Sequence, residues 1–104
     1  KQNKLTYSIT KSALKGLVQS VAIDLGYEGL LINAVLPGAI DSPMTHCNLS
    51  KAQIDSIKSQ TPLNSLASYD DIAGLVYFLC SPENTGITGQ FICADRGFSN
   101  ARII

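Results

Sequence analysis

Apolar residues recur in steps of three and four over the first quarter of the chain. From Tyr7 to about Leu25, these positions are Ile9, Ala13, Leu14, Leu17, Val18, Val21, Ala22 and Leu25. This spacing puts them on one face and predicts an amphipathic helix. Gly26 follows directly, and a glycine at that point is typical of a helix end.

The pattern changes over 30–36, where apolar residues are nearly continuous and do not alternate. Such a run is typical of a strand that is buried on both faces of a parallel sheet. Asn33 is the polar residue within it, and we interpret its amide as a buried group that ties down a nearby loop. Pro37-Gly38 ends the predicted strand, and a loop follows to Met44.

Two more helices and a second strand are predicted in the remainder. The segment 50–53 has the form of a capping box and opens a short helix to about Thr61. Ser68 precedes a helix that runs to about Cys80, with Asp70 and Asp71 in its first turn. We interpret these acids as helix-start residues and not as paired catalytic carboxylates. The short apolar run 90–94 is the second strand.

The predicted order is helix, strand, helix, helix, strand. A strand–helix–strand crossover of this length is the unit of a parallel sheet. Two strands do not make a stable sheet alone. We therefore expect residues 1–104 to be the C-terminal part of one doubly wound α/β domain whose N-terminal half lies outside this chain.

Composition excludes several classes of function. Charged residues make up 15% of the 104 residues and the formal net charge is zero, so no basic field is present to hold nucleic acid or an anionic membrane. No apolar run is long enough to span a bilayer. Three cysteines without CxxC spacing indicate a reducing compartment, so we expect a cytoplasmic protein without a metal site. Cys80 and Cys93 are interpreted as small buried residues.

Candidate chemistry begins with Tyr7 and Lys11. On a helix these two residues share a face, which puts an ammonium group beside a phenol. A neighbouring positive charge favours the phenolate form. The pair could therefore exchange a proton with an alcohol or carbonyl oxygen. A Tyr and a Lys four residues apart are also a common accident on exposed helices.

The loop after the first strand is the second candidate. Ligands of open α/β sheets bind beyond the carboxyl ends of the strands. Gly38 would let the backbone approach a flat ligand. The backbone around Ile40 and the hydroxyl of Ser42 could hold an amide or a phosphate. The alternative is an ordinary Pro-Gly turn. The helix that ends near Thr61 is either a lid over the site or a solvated connector.

Taken together, these motifs resemble the C-terminal half of the short-chain dehydrogenase/reductase family. Tyr7-x-x-x-Lys11 resembles that family's Tyr–Lys pair, and 33–42 resembles its post-strand cofactor motif, with Ser42 where Thr is usual. The segments 71–73 and 87–90 resemble its late helix and last strand. The resemblance implies a Rossmann fold and hydride transfer between NAD or NADP and an alcohol/carbonyl pair.

The resemblance also implies roles for individual residues. Tyr7 would be the catalytic acid/base, and Lys11 would ease loss of its proton and bond the nicotinamide ribose. Four residues would border the nicotinamide ring, with the Ile40 backbone holding its carboxamide: Pro37, Gly38, Ala39 and Ile40. Ser42 would contact the carboxamide or the pyrophosphate. The region from Met44 to about Pro62 would cover the substrate.

Some family features are altered or lie outside this sequence. Ser65 stands where Arg is frequent, and Arg96 replaces the first Gly of the usual Asp-Gly-Gly. The family's Gly-rich cofactor loop and catalytic Ser precede the Tyr, so the isolated chain is expected neither to bind cofactor tightly nor to turn over.

Several functional assignments stay open at this point. The substrate would be a small molecule such as a 3-oxoacyl carrier, sugar, steroid or small alcohol, and the protein a homodimer or homotetramer. The alternatives are a non-catalytic chain that serves subunit assembly and a fold-mate with epimerase or dehydratase chemistry.

Overall fold

The computed structural model of this chain describes residues 5–104. These residues form α1 (Leu5–Leu25), β1 (Ala34–Pro37), α2 (Pro43–Asn48), α3 (Lys51–Gln60), α4 (Tyr69–Leu79) and β2 (Phe91–Ala94). A short 3₁₀ turn, Gly26–Glu28, follows α1. The predicted alternation of helices and strands is confirmed, with α2 as an additional element.

The two strands pair in parallel, as the crossover predicted. Ala34 lies opposite Phe91, and Pro37 lies opposite Ala94. Helices α2, α3 and α4 lie between the strands in sequence. The chain is therefore an α/β unit in which the carboxyl ends of β1 and β2 meet at one edge.

Strand β1 is shorter than the predicted 30–36, and Asn33 explains why. Its side-chain amide donates to the Ile87 carbonyl at 2.9 Å, and its carbonyl oxygen accepts from the Gln90 backbone N–H at 3.1 Å. These side-chain bonds take the place of the backbone hydrogen bonds that would join the two strands in a regular sheet. Opposite them Gly89 adopts φ +70°, outside the extended region, so the regular strand begins only at Ala34. The predicted role of Asn33, to tie down a nearby loop, is confirmed.

The predicted buried faces of the long helices are only partly covered. In α1 Val18 alone is buried, whereas Leu17 on the same predicted face is 55% exposed. Helix α4 has no fully buried residue, and Cys80, which we expected to be buried, is exposed. Two strands of four residues each offer too little area to cover these helices. The core is correspondingly small, with Val18, Ala34, Ile54, Leu66 and Ala67.

Asp71 connects the start of α4 to the turn after β2. It forms a reciprocal capping box with Ser68, with bonds of 3.0 and 3.1 Å. Its carboxylate also accepts from Arg96 Nε at 2.7 Å and Nη2 at 3.2 Å. The Arg96 hydrogen bonds, followed by those of Ser68, hold the pKa of Asp71 well below its usual range. The helix-start role predicted for Asp71 is confirmed.

This network predicts a specific loss of stability in acid. Because the folded-state pKa of Asp71 is lowered, its stabilisation is complete above the unfolded-state pKa of about 3.9 and is lost as the pH falls below it. We expect Asp71→Asn to lower the melting temperature by a few degrees at pH 7. We also expect the melting temperature of this variant to fall less than that of wild type as the pH goes from about 5 to 2. Thermal unfolding across this range measures both effects. Asp70→Asn is the matched control, and equal acid dependence of wild type and Asp71→Asn would contradict the prediction.

Candidate functional site

Tyr7 and Lys11 lie on the same face of α1, as their spacing predicted. The Lys11 ammonium nitrogen is 5.3 Å from the centroid of the Tyr7 ring, within the range of a cation–π contact. The Tyr7 side chain is 61% exposed, so its phenol is accessible from outside this chain. The pair therefore presents a cation against the ring of an accessible tyrosine.

Lys11 also lines a cavity together with residues of the sheet. A cavity of about 230 Å³ separates α1 from the sheet. Its lining consists of Lys11, Ser12, Leu14, Lys15, Val35, Leu36 and Phe91. The helix that carries the Tyr–Lys pair thus shares a cavity with Leu36, the residue before Pro37, where the candidate cofactor loop begins.

Backbone hydrogen bonds to Ala67 hold that loop in place. The Ala67 N–H donates to the Ala39 carbonyl at 3.0 Å, and the Asp41 N–H donates to the Ala67 carbonyl at 2.8 Å. Together these bonds make a parallel bridge between Ile40 and Ala67. Ala67 is only 2% exposed, so the loop after β1 rests on part of the core.

This bridge leaves the backbone of Ile40 facing the other way. In extended chains successive residues direct their N–H and C=O groups to opposite sides, and the bonds to Ala67 use those of Ala39 and Asp41. Within residues 5–104, the Ile40 N–H and C=O have no hydrogen-bond partner. One donor and one acceptor side by side are the complement of a carboxamide. The loop therefore fits a nicotinamide at this position.

Gly38 allows a close contact with the turn after β2. A Cβ atom at Gly38 would lie 2.5 Å from the Cβ of Asp95, in the turn after β2. Asp95 is buried, and its carboxylate accepts from the N–H groups of Gly97 at 3.1 Å and Ser99 at 2.8 Å. The glycine is thus required for contact between the two strand-end turns. Its approach to a flat ligand stays a prediction.

Ser42 has a local role that sequence reasoning missed. Its hydroxyl oxygen accepts from the Thr45 N–H at 3.3 Å and caps α2, whose first residue is Pro43. A Ser followed by Pro is a helix-start signal that could have revealed α2. A cofactor contact from Ser42 stays a prediction.

Two other contacts in this region have no signal in the sequence. The Asp41 carboxylate lies 2.6 Å from His46 Nε2 and joins the loop to α2. Ala67 pairs with the loop through backbone atoms, and such a pairing does not depend on the type of residue. By contrast, no hydrogen bond joins Tyr7 or Lys11 directly to 37–42 in the part of the chain that the structure describes.

Residues 5–104 contain neither a group of metal-binding side chains nor a membrane-spanning helix. No three His, Cys, Asp or Glu side chains in this range are grouped to hold a metal ion. The same range contains no helix whose length and apolar character would let it cross a bilayer.

The parallel strands, the crossover helices and the loop at the carboxyl end of β1 place this chain in the class of doubly wound α/β proteins. A family profile described as enoyl-(acyl carrier protein) reductase matches residues 1–99. The chain belongs to the short-chain dehydrogenase/reductase family, as the motifs around Tyr7 and Ile40 predicted.

Two curated relatives illustrate this membership. The chain is 37% identical over 94 residues to a tropinone reductase homolog of Arabidopsis thaliana, covering 89% of this chain and 36% of that protein. It is 38% identical over 94 residues to the 3-oxoacyl-[acyl-carrier-protein] reductase FabG of Aquifex aeolicus, covering 90% of this chain and 38% of that protein. The chain thus spans well under half the length of these relatives.

Solved structures agree with the sequence comparison. YwfH, an NADPH-dependent reductase involved in bacilysin biosynthesis, superposes with a TM-score of 0.84 at 29% identity, over 94% of this chain and 41% of that one. ElxO with NADP bound superposes with a TM-score of 0.77 at 34% identity, over 88% of this chain and 38% of that one. The α/β fold is therefore that of the family.

Proposed function

We propose that this chain is the C-terminal part of an NAD(P)-dependent oxidoreductase that transfers hydride between a nicotinamide cofactor and an alcohol/carbonyl pair. The observation that carries the proposal is the Ile40 backbone edge, which is held by the bridge to Ala67 and whose N–H and C=O have no hydrogen-bond partner within residues 5–104. The Tyr–Lys pair on α1, whose Lys11 lines a cavity with the end of β1, supplies the proton chemistry that such a transfer requires.

The proposed roles of the chain's own residues are of two kinds, binding the cofactor and transferring a proton to or from the substrate. Pro37, Gly38, Ala39 and Ile40 would border the nicotinamide, and the Ile40 N–H and C=O would bond its carboxamide. Ser42 would add a hydroxyl contact. Tyr7 would give a proton to the substrate oxygen or take one from it, while Lys11 would ease that exchange and bond the ribose. The cofactor, when bound, supplies or accepts the hydride.

Cofactor identity is proposed as NAD or NADP. Support comes from relatives whose structures contain either one: ElxO holds NADP, and an enoyl-(acyl-carrier-protein) reductase from Anaplasma phagocytophilum is in complex with NAD. The groups that choose between them read the adenosine ribose. In the proposed protein those groups belong to the part that precedes this chain.

The substrate is proposed as a small molecule with a carbonyl or hydroxyl group. Relatives named for 3-oxoacyl carriers and for tropinone support a carbonyl substrate. A cytoplasmic homodimer or homotetramer is also proposed, since α1 exposes apolar side chains such as Ile9 and Leu17 that further protein would cover. The isolated chain, which lacks the Gly-rich loop, is expected to be inactive.

Cofactor titration and a nicotinamide absorbance assay test the proposal on the full-length protein. NADH and NADPH fluorescence gives the affinity, and a panel of 3-oxoacyl thioesters, cyclic ketones, sugars and small aldehydes gives turnover. We expect one cofactor to bind and at least one carbonyl class to be reduced. Failure to bind either cofactor would overturn the proposal and favour the assembly subunit. Turnover by the isolated 104-residue chain would overturn its expected inactivity.

A further inference from the structure

Arg96 occupies an unusual backbone conformation in the turn after β2. Its φ is +57°, in the left-handed region that residues with a side chain enter at a cost in free energy. Such conformations persist where surrounding contacts determine them. At Arg96 these contacts are made by the guanidinium group, which bonds Asp71 through two nitrogens and Ser65 Oγ through Nη1 at 2.7 Å.

The contact with Ser65 reaches a segment that matters for the candidate site. Ser65 is followed directly by Leu66 and Ala67, and Ala67 makes both backbone bonds to the loop after β1. Arg96 is therefore connected to Ile40 by two contacts, its bond to Ser65 and the bridge between Ala67 and Ile40. The turn after β2 makes a second close contact with the chain just before Ser65. A Cβ at Gly97 would lie 2.8 Å from Pro62 Cγ, so the backbone at Gly97 packs closely against Pro62.

We propose that Arg96 is a positioning residue that holds the segment 65–67 against the loop 39–41 and so fixes the Ile40 backbone edge. This inference rests on the proposed function of that edge. Asp71 is anchored at the start of α4, and its two-point bond to the guanidinium presets the direction of Nη1. Ser65 Oγ receives this N–H and donates to the Leu63 carbonyl at 3.1 Å, which fixes its own orientation.

Hydrogen exchange on the full-length protein tests the positioning step without any cofactor. Arg96→Gly removes the guanidinium and tolerates the left-handed backbone, while Ser65→Ala removes the hydroxyl group that accepts from Arg96 and donates to the Leu63 carbonyl. We expect both variants to speed exchange in peptides that contain 39–41 and 65–67, with exchange in α1 unchanged. Arg102→Ala is the matched control, because that guanidinium lies over the Phe98 ring and bonds only the Phe98 carbonyl. Unchanged exchange at 39–41 in both variants would overturn the proposal.

Ligand binding then tests whether this positioning reaches the nicotinamide. NADH or NADPH should bind Arg96→Gly and Ser65→Ala about 2- to 30-fold more weakly, whereas ADP-ribose and its 2′-phosphate, which lack nicotinamide, should bind as they do to wild type. Equal weakening of all ligands, or none, would overturn the proposal and leave Arg96 a structural residue. If wild type binds no nucleotide, the proposed function fails, and the exchange result alone decides whether Arg96 positions the loop.

Discussion

Tyr7→Phe should abolish most turnover by the full-length protein while leaving cofactor affinity close to that of wild type. The ring and its contact with the Lys11 ammonium, 5.3 Å from the centroid, are kept, and only the hydroxyl that exchanges the proton is lost. Positioned acid/base groups typically contribute about 10²- to 10⁴-fold to the rate, and we expect a loss in kcat of that size. Nicotinamide absorbance measures the rate, and cofactor fluorescence measures the affinity.

Tyr27→Phe provides the matched control for this experiment. Tyr27 is 83% exposed and follows α1 in the 3₁₀ turn, and among residues 5–104 its hydroxyl bonds only the neighbouring Glu28 carboxylate. We expect it to turn over like wild type. Equal activity of wild type and Tyr7→Phe would show that another group supplies the proton, and the catalytic role proposed here would then be wrong.

The features that sequence reasoning predicted well are those governed by local rules. A four-residue step on a helix fixes a shared face, so Tyr7 and Lys11 meet as expected. Helix starts depend on residues within a few positions of each other, and the capping box predicted at Ser50 and the N-cap predicted at Ser68 are both present. The role of Asn33 was predictable because a lone amide in an apolar strand needs hydrogen-bond partners nearby. Its amide bonds the backbone of Ile87 and Gln90.

The features that sequence reasoning missed depend on contacts between distant parts of the chain. The bridge from Ile40 to Ala67 is made of backbone atoms, which every residue type except proline offers equally. The contact of Gly38 with Asp95 depends on how the two strand-end turns meet. The exposed faces of α1 and α4 follow from the extent of the sheet, which periodicity within a helix does not report.

These distant contacts share one consequence for the site. The loop after β1 is held from two directions, by Ala67 through the backbone and by Asp95 against Gly38. A rigid loop keeps a donor and an acceptor in place for a ligand without ordering them at the moment of binding. If the proposed function holds, Ala67 and Asp95 keep the Ile40 edge in place for the cofactor without contacting the cofactor themselves.

Gly38→Ala should destabilise the full-length protein and weaken cofactor binding together. The added Cβ would lie 2.5 Å from the Asp95 Cβ and 3.1 Å from its Cα, and buried backbone yields less readily than a flexible side chain. Overpacking of this kind typically costs about 1–3 kcal/mol, and we expect the upper part of that range. Denaturant titration measures the free energy of unfolding, and NADH or NADPH fluorescence measures the affinity.

Gly74→Ala is the matched control for this substitution. A Cβ at Gly74 meets no atom of residues 5–104 within 4 Å, and the residue lies inside α4, so alanine should raise the free energy of unfolding by about 0.5–1 kcal/mol. Because the turn containing Asp95 supports the loop that carries Ile40, the Gly38→Ala variant should lose stability and nicotinamide affinity in the same protein. A Gly38→Ala variant as stable as wild type would mean that the two turns can separate at little cost, and the loop would then owe its position to Ala67 alone.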